Sequence, residues 1–391
     1  MKVGLLDLGR EYKDVMWDAA LYLFLGTIVI LGTILVFDWY RNTFFLNFLD
    51  KHVIFAILFI FAAYVVGYIL QAAPRLFASW GDSLSDIVVG MSVTKLVFFV
   101  FRFSLIPFFI REVIQRKSVT IILYHDIKPE LAEKHFKILT KKYNIISLRN
   151  FLDAYKSGEV HRLGPKLLIV TFDDGRKDNY KLLPLFEKYK IPATIFLCAG
   201  VIDTYRHFWF KHVQGKTNID FYRKVSNKSR LAILKNNGFE EIKEFADRQS
   251  LTRKEIDEMK EAIDFQSHVM FHPCLPCCSD EKAYEEIVHS KNILEDDYGL
   301  NIYAISYPNG DYCDRDIRIA KEAGYQCGIT VDIGFNSQTT DLFRLKRFCI
   351  RDEADINELL VKASGLWAYL KKIFVGHSFG YTDADEQNEA I

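Results

Sequence analysis

The sequence predicts an α/β domain built on a parallel sheet or barrel with helix-covered faces, preceded by an α-helical transmembrane region. Three observations carry that prediction. From residue 118 onward, short apolar runs alternate with charged amphipathic segments, the signature of strands and helices in turn. Charge density rises at the same point: residues 1–117 hold 11 Lys/Arg and 9 Asp/Glu, and residues 118–391 hold 39 and 41. Two long stretches ahead of that step carry no charge.

Those stretches are residues 19–37, between Asp18 and Asp38, and residues 53–74, between His52 and Arg75. At about 1.5 Å per helical residue, each can cross a hydrocarbon core of roughly 30 Å. Trp17, Trp39 and Tyr40 flank the first run, where amphipathic rings favour a membrane boundary. Soluble helices rarely stay apolar on every face for this length. A run of 19 residues also exceeds the apolar region of a cleaved signal peptide. A third stretch, 96–110, contains Arg102 and Pro107 and fits either a span or an interfacial helix.

The chain therefore reads as an integral, multi-pass membrane protein, with a lipid bilayer among its partners. Two spans divide the basic residues nine inside to two outside and place the rest of the chain in the cytoplasm. Three spans divide them five to five and decide nothing. The whole chain has 50 basic and 50 acidic residues. That balance gives no global pull toward nucleic acid. Half the residues are hydrophobic and 15% aromatic, which excludes a mainly disordered chain.

Beyond the membrane region, strands are expected at Val119–Tyr124, Lys166–Phe172, Ala193–Leu197, Phe265–Ser267, Ile302–Tyr307 and Tyr325–Thr330. Helices are expected at Pro129–Tyr143, Leu148–Ser157, Lys177–Tyr189, Thr252–Ala262, Ser279–Asp297 and Arg315–Ala323. Ser279 suits an N-cap, and Gly299 and Gly324 stand where helices stop. Residues 203–250 are polar and basic and read as an insertion into a domain spanning 118–370, followed by a polar tail at 371–391.

The chemistry gathers at strand ends. Thr171-Phe-Asp173-Asp174-Gly175 places two carboxylates after an apolar strand. Neighbours on an extended backbone point to opposite sides, so one can bind a cation while the other acts as a base. The same string also suits a solvated turn. His268 and His272 are spaced i, i+4 ahead of Pro273. Two imidazoles and a carboxylate would make an open, three-ligand site for a divalent ion.

Together, Thr171-Phe-Asp-Asp-Gly175 and His268-x-x-x-His272-Pro273 resemble the first two motifs of NodB-type polysaccharide deacetylases, carbohydrate esterase family four. The resemblance covers about residues 118–365 and implies a deformed (β/α) barrel. It implies Asp173 as general base and Asp174, His268 and His272 as ligands of a divalent metal ion, zinc first, with cobalt, nickel or iron as alternatives. The family usually has Ser or Thr after the first histidine. Val269 stands there instead, so a hydrogen bond that steadies the loop is expected to be missing.

Ile305-Ser-Tyr307-Pro-Asn-Gly lacks the arginine of the usual third motif. It is similar to the biofilm poly-N-acetylglucosamine deacetylase branch, whose order is circularly permuted. That likeness makes backbone near Tyr307 the oxyanion contact and leaves open what orients Asp173. It also assigns the general acid to His125 in Tyr124-His125-Asp126, with His377 left to the tail. Arg347 matches a late family arginine and is either a support of the site or a surface charge. Trp209 either stacks on a sugar ring or packs.

The resemblance implies a membrane-anchored, metal-dependent hydrolase that removes N-acetyl groups from a glycan substrate. The alternatives are action on a lipid-linked sugar intermediate, including deformylation, and a non-catalytic carbohydrate-binding protein. All seven cysteines lie beyond residue 118, and Cys274, Cys277 and Cys278 cluster beside the histidine motif without a matching ligand pair for a structural zinc. An odd number of thiols near a metal site favours a reducing compartment. Family habit favours the outer face, so the side of the membrane stays open.

Overall fold

The computed structural model describes residues 93–104, 106–213 and 219–374. The charge-free runs 19–37 and 53–74 and the tail histidine, His377, lie outside the described residues. The α/β part belongs to a compact unit that begins at Gly90, ahead of the step in charge at residue 118.

Eight strands form one sheet: β1 Val119–Tyr124, β2 Asn144–Ile145, β3 Leu167–Phe172, β4 Thr194–Leu197, β5 Asp264–Ser267, β6 Ala304–Ser306, β7 Cys327–Ile329 and β8 Phe348–Cys349. Their order is β7-β6-β5-β4-β3-β1-β8, with β2 beside β3. Every pairing between them is parallel, as expected where helices cover the connections. The segment after β7 draws the sheet edges together. Leu345 bridges Ile329 of β7 in parallel, and three residues later β8 pairs with β1.

Alternation along the strands divides the apolar side chains between two cores. Ile121, Leu167, Ile169 and Ile329 share one core with Phe151 and Leu152 from the helix Leu148–Lys156. Ile122, Leu168, Val170 and Phe172 face the other, against Phe136 and Phe186 from the outer helices. Asp173 follows the parity of Leu167, Ile169 and Thr171 and so emerges on the inner side. Sites in parallel α/β folds lie at the carboxyl ends of strands, and Asp173, His125 and His268 each follow the last residue of a strand or stand one place beyond it.

The insertion contains a short turn of helix at Trp209–His212 and the helices Ile219–Lys224 and Asn227–Asn236. Its two ends are tied together and to the sheet. The Asp203 amide donates to the Leu251 carbonyl, and the Leu251 amide donates to Gly175.

The stretch 96–110 does not form a single span. Its first helix, Val93–Phe103, ends there, and a second short helix covers Ile106–Phe109. Phe98 is buried against Val361 and Leu366, and the Arg102 guanidinium reaches the Ile356 carbonyl at 3.4 Å. The first helix is thereby a packed element of the α/β unit. Among the described residues, no helix is long and apolar enough to cross a membrane.

This packing sets a test. Phe98→Ala removes a ring that is 2% exposed and should cost about 3–5 kcal/mol. A thermal melt of the variant should fall by several degrees, and an unchanged melt would detach this helix from the domain.

Candidate metal centre and active site

The turn after β3 sets two carboxylates side by side in a dry environment. Asp173 is 3% exposed and Asp174 1%. Asp174 and Gly175 both take left-handed backbone, at φ 70° and 63°. A Cβ at Gly175 would fall 2.5 Å from the Leu197 side chain, so glycine is required on both counts. The turn swings Asp174 out of strand parity and into the same site as Asp173.

Each carboxylate has its own guanidinium. Arg347 Nη1 lies 2.9 Å from Asp173 Oδ1 and Nη2 2.5 Å from Oδ2, a bidentate fork. Arg347 also donates to the Thr330 carbonyl and to Ser306 Oγ, both at 2.9 Å. This buried arginine supplies the orientation that the third motif left open. Arg176 Nε donates to Asp174 Oδ2 at 2.9 Å, while its guanidinium lies over the Phe208 and Phe210 rings. Burial alone would raise both carboxyls, but the arginines and neighbouring histidines outweigh it and hold both below their ordinary values.

The histidine pair faces the free side of Asp174. His268 Nε2 and His272 Nε2 lie 3.6 and 3.5 Å from Asp174 Oδ1. His268 Nδ1 contacts the Ser306 carbonyl at 2.8 Å. A carbonyl only accepts, so Nδ1 carries a proton and Nε2 is the ring nitrogen turned toward Asp174. Burial drives His272 down to about 3, so its ring is neutral at neutral pH. Asp174 Oδ1 and His268 Nε2 are buried without hydrogen-bond partners. Ligand atoms of Asp174, His268 and His272 lie within 4.8 Å of one another, the one such group among the described residues. A carboxylate and two imidazoles with orphaned, converging atoms fit a divalent ion.

The loop between the histidines is strained, with Val269 at φ 58° and His272 at φ 57°. It is held from three sides. Glu286 Oε2 accepts the Met270 and Phe271 amides, each at 2.9 Å. The Val269 amide donates to Ser267 Oγ at 3.2 Å, so a hydroxyl before the histidine serves the loop that was expected to lack one. Trp209 Nε1 donates to the His272 carbonyl at 2.8 Å. Trp209 itself is 3% exposed and packs in the insertion core. It positions a histidine and has no free face for a sugar ring.

His125 stands on the opposite rim, at the end of β1. Its electrostatic influence reaches both Asp173 and Asp174. The Asp352 carboxylate accepts the His125 and Asp126 amides at 3.1 and 2.9 Å, and Asn179 Nδ2 donates to the His125 carbonyl at 2.8 Å. Beneath this loop, the neutral His135 ring joins Tyr124 Oη to the Ala354 carbonyl, with burial lowering its value to about 4. Tyr307 is itself tied into the sheet. Its amide donates to the Ile329 carbonyl at 3.1 Å as part of the sheet, so that N–H is not available to an oxyanion. The thiols of Cys277 and Cys278 contact the Arg223 and Cys274 carbonyls, and neither they nor Cys274 form a disulfide.

The fold and site thus define a parallel α/β domain with a buried Asp-His-His cluster fit to hold a divalent ion and an adjacent arginine-clamped carboxylate. Residues 161–328 match the family described as Polysaccharide deacetylase, and the chain carries a polysaccharide deacetylase domain of the NodB type. It is 25% identical over 184 residues to the Bacillus subtilis protein YxkH, covering 46% of this chain and 50% of that one. It is also 25% identical over 221 residues to the poly-beta-1,6-N-acetyl-D-glucosamine N-deacetylase of Staphylococcus epidermidis, covering 54% of this chain and 62% of the relative. The chain thus spans about half to three-fifths of the length of these relatives. Among solved structures it is similar to the Streptococcus pyogenes deacetylase PplD in complex with acetate, at a TM-score of 0.48 and 23% identity over 63% of this chain and 99% of that one.

Sequence reasoning missed Arg176, Asp352, Glu286 and His135. Arg176 stands four residues beyond the end of β3 and Asp352 three beyond the end of β8, places where chemistry gathers and a signal that could have been followed. Glu286 and His135 lie within helices and carry no such mark.

Three measurements test this geometry. Replacing Asp174 with Asn, or His268 or His272 with Ala, should lower metal affinity at least about tenfold by plasma mass spectrometry, whereas Cys277→Ser should not. Arg347→Met should cost about 3–5 kcal/mol by stranding a buried charge. Asp173 lies below its ordinary value in the fold, so its stabilising share is present above about pH 4 and fades as pH falls further. Without Arg347 that value rises, and the acid limb of a pH–activity profile should move to higher pH. A limb that stays in place would dissociate Arg347 from the state of Asp173.

Proposed function

We propose that this protein hydrolyses the N-acetyl groups of amino sugars in a glycan, releasing acetate and a free amine. One observation carries the reading: the ionised, arginine-clamped Asp173 has Oδ2 3.8 Å from His268 Nε2, beside the three-residue metal centre. A divalent ion held by Asp174, His268 and His272 would supply Lewis acidity toward the acetamide carbonyl and acidify water there.

This chain's own residues then divide the proton work. Asp173 accepts a proton from the attacking water, in a fixed orientation because Arg347 holds both its oxygens. His125, across the site, donates a proton to the departing amine. Asp352 and Asn179 hold the backbone of His125, so its ring approaches from a fixed place. The Phe208 and Phe210 rings lie edge-on to His272 and keep its side of the site apolar.

The choice of substrate is supported by the family resemblance and by the relative named for poly-beta-1,6-N-acetyl-D-glucosamine. The charge-free runs 19–37 and 53–74 support attachment of the domain to a bilayer, where its glycan would be met at the membrane.

Incubation of the full chain with N-acetylated glucosamine oligomers and zinc should release acetate. Asp173→Asn should lower the rate by about 10²–10⁴-fold, and His125→Gln should do so by a similar factor. Wild-type rates in Asp173→Asn would end the hydrolytic reading.

A further inference from the structure

Exposed apolar side chains are not scattered over this domain. Ten large hydrophobic residues stand exposed among the described residues, and six of them fall between positions 99 and 114: Phe99, Phe103, Phe108, Phe109, Val113 and Ile114. Four of the six are phenylalanines between 37% and 59% exposed. Phe99 and Phe103 are one helical turn apart with ring centroids at 4.7 Å, turned away from the buried Phe98 and Val100. Clusters of this kind on a soluble surface mark an interaction site.

The same segment is basic. Between positions 93 and 117 stand Lys95, Arg102, Arg111, Arg116 and Lys117 against the single acid Glu112, five less one, or +4. Arg102 lies over the Phe103 ring at 5.4 Å and the buried, Glu112-paired Arg111 over the Phe108 ring at 5.2 Å, while Lys95, Arg116 and Lys117 are exposed. Aromatic rings interleaved with basic residues on a short helical segment suit the boundary between headgroups and acyl chains. The second charge-free run ends at Pro74, 18 residues before Val93.

We infer that residues 99–114 form a membrane-docking face that lies on an anionic bilayer surface. The inference rests on the proposed membrane attachment and extends it from a tether to an orientation. Arg102 bonds to Ile356, four residues beyond Asp352, so Phe103 lies toward the site end of the sheet. Lys117 lies at the other end, just before β1, whose six residues span roughly 20 Å. The face thus runs along the side of the sheet. A domain resting on it opens its site parallel to the bilayer, at the level of headgroup-linked or surface-held glycan.

The test uses the full chain in phosphatidylcholine–phosphatidylglycerol vesicles that contain a diazirine-bearing phospholipid. After irradiation, mass spectrometry should find lipid adducts on peptides covering 99–114 and none at the exposed Tyr205, Phe221, Ile242 or Tyr284. In vesicles of phosphatidylcholine alone, labelling of 99–114 should fall several-fold. The double variant Phe103→Asp, Phe108→Asp should lose those adducts several-fold, keep those on 19–37 and 53–74, and hydrolyse a soluble substrate at the wild-type rate. Adducts on 19–37 and 53–74 with none on 99–114 would overturn the docking face while leaving the tether standing. Labelling equal in both vesicles, or cross-links from 99–114 to a second copy or another part of the chain, would also overturn it. No adduct on any of the three stretches would overturn the attachment and the face together.

Discussion

Two adjacent carboxylates buried at one strand end are the constraint around which this site is arranged. Left unpaired, a buried carboxylate would take up a proton rather than stay charged. The structure meets that demand twice, with Arg347 on Asp173 and Arg176 on Asp174. The two arginines act differently. Arg347 covers both oxygens of Asp173 in a fork, whereas Arg176 takes only Oδ2 of Asp174 and leaves Oδ1 for the histidines. One strand end thereby presents two carboxylates in different settings, one held at both oxygens and one with an oxygen free toward the histidines.

The second demand is to hold His268 and His272 on a strained loop. Left-handed backbone at a β-branched residue costs of order 1–3 kcal/mol, and Val269 and His272 both carry such angles. The buried Glu286 satisfies two loop amides, while Lys282 lies 2.9 Å from its other oxygen. Burial pushes the Glu286 carboxyl up, and Lys282 works against that rise. The insertion adds the Trp209 bond to His272. This polar segment, outside the sheet framework, is therefore part of the support for His272.

What could be read from the sequence follows the range of the interactions. The six longer strands were legible because each has three or more residues set between helical or turn segments. β2 and β8 have two residues each, too few for any periodicity to register. Asp173, Asp174, His268 and His272 were legible because their chemistry depends on spacing within short motifs. The Arg347–Asp173 pair spans 174 positions, and only the closing of the sheet between β7 and β1 brings it together. The surroundings of Tyr307 and Trp209 were not legible for a related reason. Whether an amide is spent on a neighbouring strand, or an indole is buried, is decided by register and packing that one sequence does not display. The 96–110 stretch was apolar enough to suggest a span, yet part of that character is the packing of Phe98 and Val100 within the domain.

The account stands on a single centre in which Asp174, His268 and His272 hold a divalent ion beside Asp173. Anomalous diffraction at the zinc edge, from crystals of the full chain grown with zinc, tests it most directly. The account predicts one strong peak within coordination distance of Asp174 Oδ1, His268 Nε2 and a ring nitrogen of His272. Density confined to Cys274, Cys277 and Cys278, or no peak among the three ligands at saturating zinc, would contradict it.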